Sequence, residues 1–98
     1  MPPSVVEFHP DAVEEAVAAR QWYQARSASA ADAFLAELDH AIEAISTHPT
    51  RWPQFVHGTR RYLFHRFPFQ LVYRIVGALV QVIAVAHGRR KPGYWKTR

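Results

Sequence analysis

A chain of 98 residues that is 49% hydrophobic and 13% aromatic makes one domain with a single core, which excludes wholesale disorder. It contains no cysteine, so disulfides and thiolate metal sites are excluded, as expected for a reducing, cytoplasmic setting. The net charge of +4 hides a division: all eight acids precede residue 44, whereas residues 51–98 hold ten lysines and arginines and no acid, a face for polyanions or an acidic partner.

Met1–Phe8 has neither a basic n-region nor an apolar h-region, so no signal peptide is expected. Within it, Ser4–Phe8 alternates weakly and predicts a short strand. Pro10 suits the first turn of a helix, where its missing N–H is not needed, and Asp11, Glu14 and Glu15 complement the helix dipole. This helix is expected to reach about Arg26, with Ala12, Ala16, Ala19 and Tyr23 on one stripe that admits a close neighbour. Ser27–Ala30 is the break. Ser29 with Asp32 reads as a capping box for a second helix that runs to about His48 and places Phe34, Leu38, Ala41, Ile42 and Ile45 at helical spacing. Pro49 ends it. Two long helices with a short joint predict an antiparallel hairpin, its acids forming a solvated outer face.

Thr50–Thr59, with Pro53 and Gly58, reads as a loop pinned to the core by Trp52 and Phe55. The apolar period then changes to two, predicting strands at Arg60–Phe67, Phe69–Val76 and Leu79–His87. Gly77-Ala78 fits a type II′ hairpin turn, which takes glycine first. The last strand, nearly all apolar, belongs at the centre of the sheet. Ile75–Ala86, the longest apolar run, carries Gln81 and is short of the ~20 residues of a membrane span. Residues 88–98 read as a basic, aromatic tail too polar for the core. The pattern is one domain over 1–98 of α+β class, β-α-α-β-β-β, an antiparallel sheet packed against a helical hairpin.

Arg89, Arg90 and Lys91, flanked by Gly88 and by Tyr94 and Trp95, form a candidate grip on phosphate or on acidic protein. Arg60, Arg61 and Arg66 add charge from the sheet. Tyr94 or Trp95 either stacks on a base or folds back onto the sheet. Arg74, in mid-strand, reads as a snorkelling or paired residue. His65 and His87 are acid/base candidates near neutral pH. No histidine has a partner at metal-ligand spacing, so neither a metal nor a cofactor is expected. A chain with no acid after residue 43 also lacks a carboxylate pair there for hydrolysis. On the residues alone, a nucleic-acid-binding module is one reading.

Trp22-Tyr23, Ile45–Pro49, Arg61–Leu63, Phe67–Arg74 and Ile83–Trp95, in this order, resemble the RelE/ParE superfamily of toxins from type II toxin–antitoxin systems, among them plasmid-stabilisation modules. The resemblance spans about Val5 to Trp95. It implies a cognate antitoxin and one of two targets, since fold alone does not choose. RelE-like members are ribosome-dependent mRNA endoribonucleases (mRNA interferases) that use lysines, arginines and a stacking aromatic. ParE-like members are DNA gyrase inhibitors without that set. With Leu71-Val-Tyr73 as the shared anchor, the nuclease branch's two strand lysines fall near Leu63 and His65, and its middle-strand arginine falls on Gln70. Its later arginine is matched by Arg89, and its tyrosine falls near Tyr94 or Trp95. Cations are thus missing at three of these positions, which favours the ParE-like branch. A nuclease would have to work with Arg89, His65, His87 and Tyr94. Neither branch acts on a small molecule or at a membrane.

Overall fold

The computed structural model describes residues 3–98. Strand β1 (Val5–Phe8) leads into helix α1 (Pro10–Gln24), then α2 (Ala28–Thr47), a single 3-10 turn (Val56–Gly58), and strands β2 (Arg60–Leu63), β3 (Phe69–Val76) and β4 (Leu79–His87). The strands lie in the order β1-β4-β3-β2. β2, β3 and β4 are antiparallel, as expected, but β1 joins β4 in parallel, so the sheet is mixed. The near-continuous apolar run of β4 takes the central place that such a run requires.

Local chemistry explains the helix ends. His9 caps α1, its imidazole accepting the Asp11 N–H at 3.0 Å, and Pro10 opens the helix. The cap of α2 is Ser27 and not the Ser29–Asp32 box: Ser27 Oγ accepts the Ala30 N–H at 3.2 Å, and Ser29 is already helical. The aromatic core explains why β2 stops at Leu63 and not at Phe67. Phe64 and Phe67 both turn onto Phe34, with ring centroids 5.7 and 5.5 Å away, and that needs an irregular backbone. The main-chain N–H groups left over at His65 and Arg66 donate to the carboxylate of Glu37 on α2. Glu37 therefore clamps this turn, in contrast to the solvated role expected of it.

The sheet is covered on both faces. On one side α1 and α2 bury Ala12, Ala19, Phe34, Leu38, Ala41 and Ile45 against Leu71, Tyr73, Val80, Val82 and Val85. On the other, Val72, Ile83, Ala84 and Ala86 meet Trp95 and Phe55. An irregularity opposite Val72/Tyr73 inserts Ile83 as an extra residue in β4, because Val72 pairs with Ala84 while Tyr73 pairs with Val82. Such a bulge lets Ile83 and Ala84 face the same side, and alternation resumes at Val85. Gly77 takes φ 61° in the β3–β4 turn while Ala78 does not enter the left-handed region, the II′ arrangement.

Tyr73 ties β3 to the end of α2, its buried hydroxyl donating to the Pro49 carbonyl at 2.6 Å. Burial pushes its pKa up to about 12, and the nearby Arg60 charge pulls part of the way back. Unfolded tyrosine ionises near 10, so the folded state holds this proton more tightly. The resulting stability is complete below about pH 10 and is lost as pH rises through about 12. Urea unfolding across that window should show falling stability in the native chain. Tyr73→Phe should fall less steeply, though not be flat, because burial also raises Tyr23, Tyr62 and Tyr94. An unchanged slope in Tyr73→Phe would refute this assignment.

Candidate functional site

The tail, read as too polar for the core, folds back as a strap. It leaves β4 through a tight turn in which Gly88 N–H donates to the Pro68 carbonyl at 2.7 Å and Arg90 N–H to the His87 carbonyl at 3.0 Å. At Gly93, φ is 90°, a backbone conformation that favours glycine, and an added Cβ would lie 2.8 Å from Nε2 of the His57 side chain, which would have to move. Trp95 then inserts under the sheet and is 1% exposed, with Phe55 at 5.7 Å between centroids.

The strap is bolted down at Glu15 of α1. One oxygen of its carboxylate accepts the Tyr94 hydroxyl at 2.6 Å, and the other accepts Arg98 Nη1 at 2.8 Å and the Val85 main-chain N–H at 3.0 Å. Arg98 also donates to the Ile83 carbonyl at 3.0 Å and lies 3.6 Å from Asp11. β1 ends at Phe8, opposite Val82, so Glu15 and Arg98 together occupy the edge of β4 that a longer β1 would have paired. Burial, then the bond and charge of Glu15, holds the Tyr94 phenol well above its usual range, so it remains a neutral donor.

The sequence candidates divide by surroundings. Arg60 donates through Nη1 to the carbonyls of Trp52 (2.7 Å) and Thr50 (3.2 Å), fastening the loop before β2. Arg61 lies over the Phe55 ring at 4.2 Å and reaches Gln70 Oε1 at 3.3 Å. Arg74 donates to Gln81 Oε1 at 2.8 Å, in keeping with a pairing role. Arg90 stacks on Tyr94 at 3.8 Å. Arg89, Lys91 and Arg66 are exposed, and Arg89 is held only through its backbone, donating to His87 Nδ1 at 3.0 Å. His87 packs edge-on against Phe69, and His65 is exposed beside Tyr62. Gln70 is 6% exposed, while Leu63 stands 56% exposed. Register places Leu63, Gln70 and Ala86 in one row, so His65, His87 and Arg89 all emerge at the same end of the sheet.

Trp95 is thus a core residue and Tyr94 a structural donor, which leaves Arg89, Arg90, Lys91 and Arg66 as the exposed cations of the expected binding set. Beside them, α1 and the end of β4 enclose a groove of about 450 Å³ lined by Trp22, Tyr23, Phe69, His87, Arg90 and Tyr94. Arg26 lies 3.6 Å above the exposed Trp22 ring at its rim. Glu15, Glu37 and Arg98 were not among the expected functional residues. Glu15 carried one sequence signal: it follows Ala12 by three and precedes Ala19 by four, on the buried stripe itself. Among the described residues no three His, Asp or Glu side chains gather as metal ligands, and no helix is long and apolar enough to cross a membrane.

Residues 6–92 match the ParE toxin family of type II toxin–antitoxin systems, parDE. The chain belongs to this family. Among solved structures it is similar to the chromosomal ParDE toxin–antitoxin system from P. aeruginosa, with a TM-score of 0.76 and 15% identity over 89% of this chain and 98% of that one. It is also similar to the RelBE2 toxin–antitoxin complex from Mycobacterium tuberculosis, with a TM-score of 0.59 and 22% identity over 89% of this chain and 93% of that one. A search of curated proteins finds no match. The ParE-family chain is therefore a type II toxin on the RelE/ParE fold, and the two structural likenesses carry the fold alone.

Proposed function

We propose that this ParE-family toxin halts growth in the cytoplasm by binding DNA gyrase, and that it is not a ribonuclease. The observation that carries the reading is Gln70. Where the nuclease branch keeps a cation, this chain has a buried neutral amide that serves as acceptor for Arg61. An exposed Leu63 stands at a second such position, and the Tyr94 hydroxyl is committed to Glu15. In this row a pentavalent phosphate would meet one fixed guanidinium, that of Arg61 on Gln70, in place of the nuclease branch's set of cations. The reading is tested by inducing the toxin alone and measuring plasmid supercoiling and the DNA-damage response beside transcript cleavage mapped at codon resolution. Loss of supercoiling with intact transcripts is expected; codon-specific cleavage with normal supercoiling would overturn the reading.

The second reading, a ribosome-dependent endoribonuclease, draws support from one arrangement: His65, His87 and Arg89 share one end of the sheet. On either reading the partner is a cognate antitoxin. The unbalanced cations of residues 51–98 favour an acidic, apolar antitoxin segment that folds as it binds over Arg60–Arg66 and Arg89–Lys96.

A further inference from the structure

At the β3–β4 hairpin end of the sheet, apolar side chains are left open to water. Strand register puts Val5 of β1, Leu79 of β4 and Val76 of β3 in one row. Val6, Tyr73 and Val80 pack towards the helices, so this row lies on the opposite face. Val5 is 70% and Val76 53% exposed. The row continues into the hairpin tip, where Ile75, Val76, Gly77 and Ala78 are all exposed and no polar side chain occurs between Arg74 and Gln81. Exposed runs of this kind are avoided on soluble chains unless something covers them. Trp95 and Phe55 do not cover this one: they pack on Val72, Ile83, Ala84 and Ala86, further along the same face.

The next row specifies the partner. It holds Glu7 on β1, Gln81 on β4 and Arg74 on β3. Arg74 Nε donates to Gln81 Oε1 at 2.8 Å, which fixes the guanidinium on this row and leaves its other N–H donors to spare. Glu7 and Arg74 stand two strand spacings apart, about 10 Å, and among the described residues neither has an ionic partner. An acidic segment or a nucleic acid would be drawn by Arg74 and repelled by Glu7. A second copy of this chain meets no such conflict. Given a half-turn about the line of β4, it sets its Arg74 against Glu7, its Glu7 against Arg74, its Val76 on Val5 and its Leu79 on Leu79. The patch is complementary to itself, as a two-fold contact requires. We propose that these two rows form the contact of a weak homodimer, joined through the hairpin ends of two sheets. The strap stands over the rows beyond, so the sheets diverge there and the contact stays small. Interfaces below about 1,200 Å² in total are those of transient complexes, and this dimer is of that kind. Leu79 and His87 stand at opposite ends of β4, about 27 Å apart at the rise of a strand, so the Arg89–Lys91 end remains open in the dimer, whichever target the toxin engages.

The test follows the full chain by sedimentation equilibrium and by nitrogen–proton NMR spectra from about 10 µM to about 1 mM, the span over which a transient dimer forms. The average mass should rise towards that of two chains. The amide signals of Val5, Glu7, Val76 and Leu79 should move with concentration while those of Gly88–Arg90 stay in place. Val5→Lys, which puts a charge into the apolar row, should abolish the association. Glu7→Arg and Arg74→Glu should each weaken it about tenfold or more, because each sets two like-charge pairs across the contact. Mixed in equal amounts, these two variants should associate as the native chain does, since every pair between them is again of opposite sign. Loss of folding does not produce such a rescue, and the amide spectra show that each variant is folded. A mixture that associates no better than its components would overturn the proposal, as would a native chain that stays monomeric at about 1 mM. So would the cognate antitoxin or single-stranded DNA moving the Val5, Val76 and Leu79 signals at micromolar concentration, since the row would then belong to that partner.

Discussion

Trp95→Ala is expected to destabilise the toxin by about 3–5 kcal/mol, the range for a buried large aromatic cut back to alanine. A residue three from the end of a basic tail would ordinarily be worth less than about 0.5 kcal/mol. Here the ring is 1% exposed and covers Val72, Ile83, Ala84 and Ala86 with Phe55. Its loss would expose part of that face of the sheet to water. Trp95→Phe should cost much less, because the indole N–H is buried with no acceptor and its removal relieves an unmet desolvation. Urea denaturation of the three proteins measures this directly, a shifted midpoint at constant slope being the expected form. A midpoint unchanged in Trp95→Ala would show that the strap is not part of the folded core.

The strap also marks the limit of what the sequence conveyed. The spans of β3 and β4 and the two helices were legible because each is decided locally, by an apolar period, a proline or a Gly-Ala turn. The wrong N-cap at Ser29 was a choice between neighbours: Ser27 and Ser29 both carry the needed hydroxyl, and they touch at 3.0 Å. The parallel pairing of β1 was not legible, since four residues contain no mark of which neighbour they will take. Nor was the bulge at Ile83. Val82, Ile83, Ala84 and Val85 are all apolar, and a run buried on both faces has no alternation to break.

At the candidate site the difficulty was different in kind. Tyr94 and Arg98 stand among cations in the sequence, yet both meet Glu15 of α1, 79 and 83 positions earlier, while Trp95 packs on Phe55 and the sheet. Glu37 likewise meets main-chain N–H groups 28 and 29 residues away. Charge segregation along a chain therefore does not imply segregation in space. Part of the acidic half is consumed in fixing the basic half, and Arg89, Lys91 and Arg66 are left exposed at one end of the sheet.

Single substitutions at that end separate the two targets. A nuclease must hold charge where the phosphorane forms, and removing one such donor typically costs about a hundredfold or more in rate. Arg89→Ala would then abolish toxicity, and His65→Gln and His87→Gln would each lower it and reshape its pH dependence. On the gyrase reading, binding energy is spread over several rim contacts, most of them small when truncated singly. Both histidine variants should then be almost as toxic as the native chain. Arg89→Ala, Arg90→Ala and Lys91→Ala should each weaken toxicity by no more than about tenfold, and the triple variant should lose most of it. His87→Gln is a fair test because its ring has a structural task, accepting the Arg89 N–H, that the glutamine carbonyl can inherit. Survival after induction measures toxicity, and co-purification with the antitoxin confirms that each variant is folded. The gyrase reading predicts graded loss along 89–91 and silence at the two histidines. A folded, antitoxin-competent His65→Gln or His87→Gln chain without toxicity would instead place acid–base chemistry at the end of the sheet and make the toxin a nuclease.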